Sequence, residues 1–154
     1  MDLDAADHEP PMRRAIELAE EAADRGDDPF GSVLVRDGEI VMEARNHTHT
    51  EDDLALHPEL TLARRAASEW SARECEETVL YTSTEPCSMC ATGIAYAGLG
   101  AVVYSVSGER VAELHGGSSG IPCEEVFERL GADVAVGGPV LEAEGMALHR
   151  QFLD

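Results

Sequence analysis

Lysine is absent from this chain of 154 residues: all 11 basic side chains are arginine, set against 31 Asp and Glu, for a formal charge of -20. Affinity for a phosphate polymer comes mainly from Lys and Arg and falls steeply with salt, so a surface so short of cations argues against nucleic acid and for small substrates. The carboxylate excess repels itself in dilute solution, and molar salt relieves it by shortening the Debye length to about 3 Å. A halophilic host with a salt-rich cytoplasm is the expectation. Apolar runs are short: none approaches the roughly eighteen residues of a membrane span, and Met1 to Met12 is acidic with no positive or apolar leader region. A soluble, cytoplasmic protein with no membrane partner is expected. Cysteines are few. Two of the 4 form Cys87-x-x-Cys90 while Cys75 and Cys123 stand apart, the pattern of metal ligands plus two ordinary thiols rather than a disulfide framework.

With 44% hydrophobic residues, residues 1–154 are enough for one compact domain. Ala15, Ile16, Ala19, Ala22 and Ala23 recur at helical spacing between Pro11 and Arg25, with Gly26 as a stop. Gly31 to Arg36 and Glu39 to Ala44 flank Asp37-Gly38, a strong signal for an antiparallel hairpin. Asn46 to Leu56 reads as a loop, and Pro58 opens a helix to about Trp70. Thr78 to Thr82 reads as a strand, Cys87 to Ala97 as a helix ended by Gly98, and Ala101 to Val106 as a strand. Ser107 to Pro122 is Gly- and Ser-rich, with a turn of helix near Arg110 to Leu114. Cys123 to Leu130 as helix, Asp133 to Val136 as strand and Leu141 to Phe152 as helix complete the order. Helices alternating with strands imply a three-layer α/β/α domain on a mixed five-stranded sheet, its last strands parallel because helices cross between them.

Chemistry concentrates in His57-Pro58-Glu59 and Pro86-Cys87-Ser88-Met89-Cys90. Cys87 and Cys90, three apart on a helix, share one face and chelate one ion, and a helix N-terminus favours their thiolate form. His57 completes a set of three. A structural zinc site takes four protein ligands, whereas three leave a position for water, whose pKa zinc lowers to about 7. Glu59, two residues from a ligand at the same helix start, enters the site without coordinating and shuttles the proton. His47 and His49 read as solvated loop residues, and Cys75 and Cys123 as small buried hydrophobes.

The H-x-E and P-C-x-x-C pair is a known signature of zinc nucleobase deaminases. From about Met12 to Val106 the chain resembles the cytidine deaminase-like superfamily, in the branch of guanine deaminases, fungal-type cytosine deaminase and tRNA adenosine deaminases. Pro29-Phe30-Gly31-Ser32-Val33-Leu34-Val35, Asn46, His57-Pro58-Glu59 and Thr84-Glu85-Pro86-Cys87-Ser88-Met89-Cys90 carry the likeness. The resemblance implies one Zn2+ on His57, Cys87 and Cys90, Glu59 as shuttle, and base contacts from Asn46, Phe30 and, on a C-terminal segment over the pocket, Phe152. It also implies a homodimer. Hydrolytic deamination of a guanine- or cytosine-like base or nucleoside is the first expectation. A tRNA adenosine deaminase is the alternative, disfavoured by an acidic tail in which Arg150 faces Glu142, Glu144 and Asp154. A non-catalytic zinc scaffold is the second alternative.

Overall fold

The protein is described over residues 1–153 by a computed structural model. Its elements are α1 (Glu9–Asp24), β1 (Gly31–Arg36), β2 (Glu39–Arg45), α2 (Pro58–Glu69), α3 (Ala72–Glu76), β3 (Val79–Thr84), α4 (Ser88–Ala97), β4 (Ala101–Val106), α5 (Gly108–His115), α6 (Cys123–Leu130), β5 (Ala135–Gly137) and α7 (Glu142–Leu153). The sheet order is β2-β1-β3-β4-β5. β1 is antiparallel to both β2 and β3, whereas β3, β4 and β5 are parallel. The expected mixed five-stranded sheet is therefore present, with helical crossovers joining its parallel half.

Local chemistry explains the hairpin. Arg36 pairs with Glu39, so only Asp37 and Gly38 make the turn, at φ 55° and 78°. Two consecutive positive φ values match the right-handed twist of the strands, and Asp-Gly adopts them at low cost. At the other end of β1, a Cβ on Gly31 would run into the Ala15 carbonyl oxygen of α1. Glycine there lets α1 lie directly on the strand and sets the position of Phe30.

Two apolar clusters hold the layers. On one face, Leu62, Ala63 and Ala66 of α2, Ala91 and Ile94 of α4, and Cys123 and Phe127 of α6 meet Leu34, Leu80 and Val102 of the sheet. On the other, Met12, Ala15, Ile16 and Ala19 of α1 and Leu148 of α7 meet Val33, Tyr81 and Val103. Each large side chain removed from water contributes roughly 1.5–3 kcal/mol. Alternation along β1, Val33 to one face and Leu34 to the other, separates the clusters. Cys75 and Cys123 are buried thiols.

Departures from the sequence reading are local. α3 was not foreseen; five residues carry little periodicity, and Ser71 starts it by accepting from Glu74 N at 3.2 Å. α5 extends the expected turn into eight residues, opened by Ser107 accepting from Arg110 N at 3.2 Å. β5 sits at Ala135–Gly137, shifted from the expected run, because its register follows Ala101 to Val103 of β4.

Candidate metal centre and active site

Strand register brings distant segments to one edge of the sheet. Gly31 pairs with Arg45 and Ser32 with Thr82, so Phe30, Asn46 and Ser83 share the edge where β3 ends. Gly31 N donates to Ser83 Oγ at 3.1 Å, and Thr84 pairs with Val106 at the end of β4. α2 and α4 begin at this edge with extended N-cap residues, His57 and Cys87. Pro58 is the first residue of α2, where its missing N–H costs nothing and its fixed φ suits the helix. Ligands of α/β sheets bind outside the carboxyl ends of parallel strands, and this edge is that place.

His57, Cys87 and Cys90 are positioned to bind a metal ion: their donor atoms all lie within 4.8 Å of one another. His57 Nδ1 is 3.6 Å from Cys87 Sγ and 3.5 Å from Cys90 Sγ. Zinc at ~2.0 Å from nitrogen and ~2.3 Å from sulfur in tetrahedral geometry requires N···S separations of about 3.5 Å, so the donor set fits that ion. No fourth His, Cys, Asp or Glu joins the group among the described residues. The sulfurs share one proton. Cys87 falls to about 4, chiefly through its hydrogen bond with Cys90, while that bond and burial push Cys90 up. His57 is raised, first by its hydrogen bond to Cys87. One thiolate is thus ready at neutral pH, and a metal displaces the remaining proton on binding.

Glu59 is 5% exposed and outside the donor group. Burial pushes its carboxyl up to about 7, the range that lets a group both take and return a proton near neutrality. Asn46 is fully buried, and its Oδ1 accepts from Thr48 N at 2.9 Å and Thr48 Oγ1 at 2.7 Å. The backbone donor fixes which way the amide faces and leaves Nδ2 buried with no partner. Such an orphan donor is costly unless a ligand satisfies it. Phe30 is half-buried, and its carbonyl accepts from Asn46 N at 3.0 Å.

Phe152 stands elsewhere. It is 46% exposed and lines a groove with Glu20, Ala23 and Asp24 of α1. The last turn of α7 lies against α1, so the residue that α7 sends to Phe30 is His149, one turn earlier, with ring centroids 6.2 Å apart. His49 is largely exposed, with Nε2 3.1 Å from Asp28.

Three residues at this edge escaped the sequence reading. Asp27, 1% exposed, accepts from His49 N, Thr50 N and Thr50 Oγ1, each at 2.9 Å, and so pins the loop between Asn46 and His57. Burial alone raises its carboxyl, but the bonds from Thr50 and His49 outweigh burial and hold it below the usual range. Glu85 accepts from Gly108 N at 2.9 Å and Cys123 N at 2.8 Å. His149 is the third, and its spacing from Met146 on the buried stripe of α7 was the available signal.

A family model described as the cytidine and deoxycytidylate deaminase zinc-binding region matches residues 5–106. The chain is 39% identical over 107 residues to a guanine deaminase of Bacillus subtilis, covering 69% of each. It is 30% identical over 148 residues to a probable cytosine deaminase of Schizosaccharomyces pombe, covering 93% of this chain and 90% of that one. Proteins named tRNA-specific adenosine deaminase match as well. The solved guanine deaminase of Nitrosomonas europaea shares the fold at a TM-score of 0.76 and 22% identity, over 96% of this chain and 85% of that one.

Proposed function

We propose that this chain, which belongs to the cytidine and deoxycytidylate deaminase family, is a zinc-dependent hydrolase that deaminates a free guanine- or cytosine-like base or its nucleoside. The carrying observation is the pairing of three donors at tetrahedral spacing with a buried carboxylate that is not among them. When bound, zinc supplies the Lewis acidity that makes a water nucleophilic near neutral pH. Glu59 takes a proton from the water that attacks the amine-bearing ring carbon and delivers it to the departing amino nitrogen. The carbon–nitrogen bond breaks, a carbonyl replaces the amine, and water plus base becomes ammonia plus oxo-base. Asn46 Nδ2 donates to a carbonyl or ring nitrogen of the base, and Phe30 offers a face beside it.

The zinc-loaded protein in molar KCl, incubated with guanine, cytosine, adenine, their nucleosides and a tRNA transcript, is expected to release ammonia from a base or nucleoside. Release from the transcript alone would move the reading to a tRNA adenosine deaminase. Tight zinc without release from any would leave a scaffold. Charge favours the small substrate, since a formal -20 opposes a phosphate backbone. The composition fits a salt-rich cytoplasm, and no described helix is long and apolar enough to cross a membrane. Tyr96, 79% exposed near the C-terminal end of α4, supports a homodimer through the outer face of that helix.

A further inference from the structure

Two histidines at the sheet edge belong to neither the zinc motif nor the deamination chemistry. His149 of α7 is 3% exposed, and its Nε2 lies 2.9 Å from Thr84 Oγ1, three residues before Cys87. Its ring tilts against Phe30, and His115, the last residue of α5, meets it edge-on with centroids 5.9 Å apart. The segment bearing His115 is held at both ends by one carboxylate, since Glu85 binds Gly108 N and Cys123 N. A continuous wall therefore runs from Asn46 through Phe30 and His149 to Thr84 and the metal-binding Cys87. The zinc donors come from the α2 and α4 layer, and this wall closes the edge from the α1 and α7 layer.

A buried imidazole usually satisfies both nitrogens within the protein. In His149 only Nε2 has a hydrogen-bond partner among the described residues, the Thr84 hydroxyl. Its partner at Nε2 is a hydroxyl, which donates or accepts, so Nδ1 is free to take the opposite role toward a ligand. Burial first and His115 second push this imidazole down to about 4, which keeps the wall uncharged at neutral pH.

Resting on the deaminase reading, we infer that His149, backed by His115, is the specificity-determining contact of the pocket: through Nδ1 it hydrogen-bonds the polar edge of an uncharged heteroaromatic base lying against Phe30. An uncharged wall with one adjustable hydrogen bond suits a free base better than a phosphorylated nucleotide.

The test compares wild type with His149→Phe, His149→Asn, His149→Ala and His115→Ala, all zinc-loaded, by kcat and KM for guanine, cytosine and adenine and by equilibrium dialysis of each base. His149→Phe keeps the ring and loses the nitrogen. It is expected to raise KM and Kd for the preferred base about tenfold, the worth of one hydrogen bond, with kcat and zinc content close to wild type. His149→Asn is expected to recover part of that loss, and surface His115→Ala to shift the ranking of bases without affecting folding. An active wild type whose His149→Phe and His149→Asn variants keep its KM and ranking overturns this inference alone. A wild type that neither binds nor converts any base overturns the deaminase reading and this inference with it.

Discussion

Glu59 and His149 are buried for different reasons, and each yields a separate test. Glu59 sits next to the donors without joining them, so Glu59→Gln preserves shape and the metal set while removing the proton carrier. One zinc per chain and a rate reduced by about 10²–10⁴-fold are expected from metal analysis and ammonia release. A rate near wild type would assign the proton to another group. His149 favours its neutral form when folded, titrating near 4 against the ordinary 6.5 of an exposed imidazole. The unfolded chain then binds more protons than the folded one between those values. Stability is full above the unfolded pKa and is lost as pH falls from about 6.5 towards 4, by up to about 1.4 kcal/mol per unit. Denaturant titrations between pH 7 and 5 should show that slope in wild type, reduced in His149→Gln.

Loops, rather than helices or strands, are what single carboxylates organise here. Asp27 gathers three donors onto the turn at His49 and Thr50, and that turn lies between Asn46 and His57. Asp27→Ala removes the shared acceptor of the His49 and Thr50 amides, and a stability loss of about 1–3 kcal/mol is expected in urea titration. The substrate KM should rise as well, because Asn46 loses its frame. Glu85 does the same for the segment from α5 to α6. Glu85→Ala should speed hydrogen exchange at the Gly108 and Cys123 amides while exchange in α1 stays unchanged. Equal acceleration throughout would mean global destabilisation instead.

The whole molecule is governed by its excess of acid. Arginines are drawn into carboxylate clusters, as where Arg14 takes both oxygens of Glu43 and also reaches Glu17 and Glu21. Exposed pairs of this kind contribute about 0–1 kcal/mol each, and many carboxylates are left with no cation to meet. Self-repulsion therefore dominates in dilute buffer, and the melting temperature is expected to climb as KCl rises from millimolar to molar. A flat or falling curve would reject the salt-adapted reading.

Short-range patterns were readable from the chain alone. His57 and Glu59 fall within one helical turn, as do Cys87 and Cys90, so each half of the motif, the helix starts and the Asp37-Gly38 hairpin follow from spacing, turn chemistry and the fixed period of a helix, while joining the two halves into one donor set rests on the known deaminase signature. The order of helices and strands likewise implied the layered sheet, because parallel neighbours need a crossover. His149 and Thr84 are 65 positions apart and Glu85 and Cys123 38 apart, and nothing local marks either pair. Their meeting depends on strand register and on how α7 lies along β4 before its last turn reaches α1. That packing sends His149 towards Phe30 and Phe152 away from it. Periodicity shows which face of a helix is buried; only the folded chain shows which neighbour that face meets.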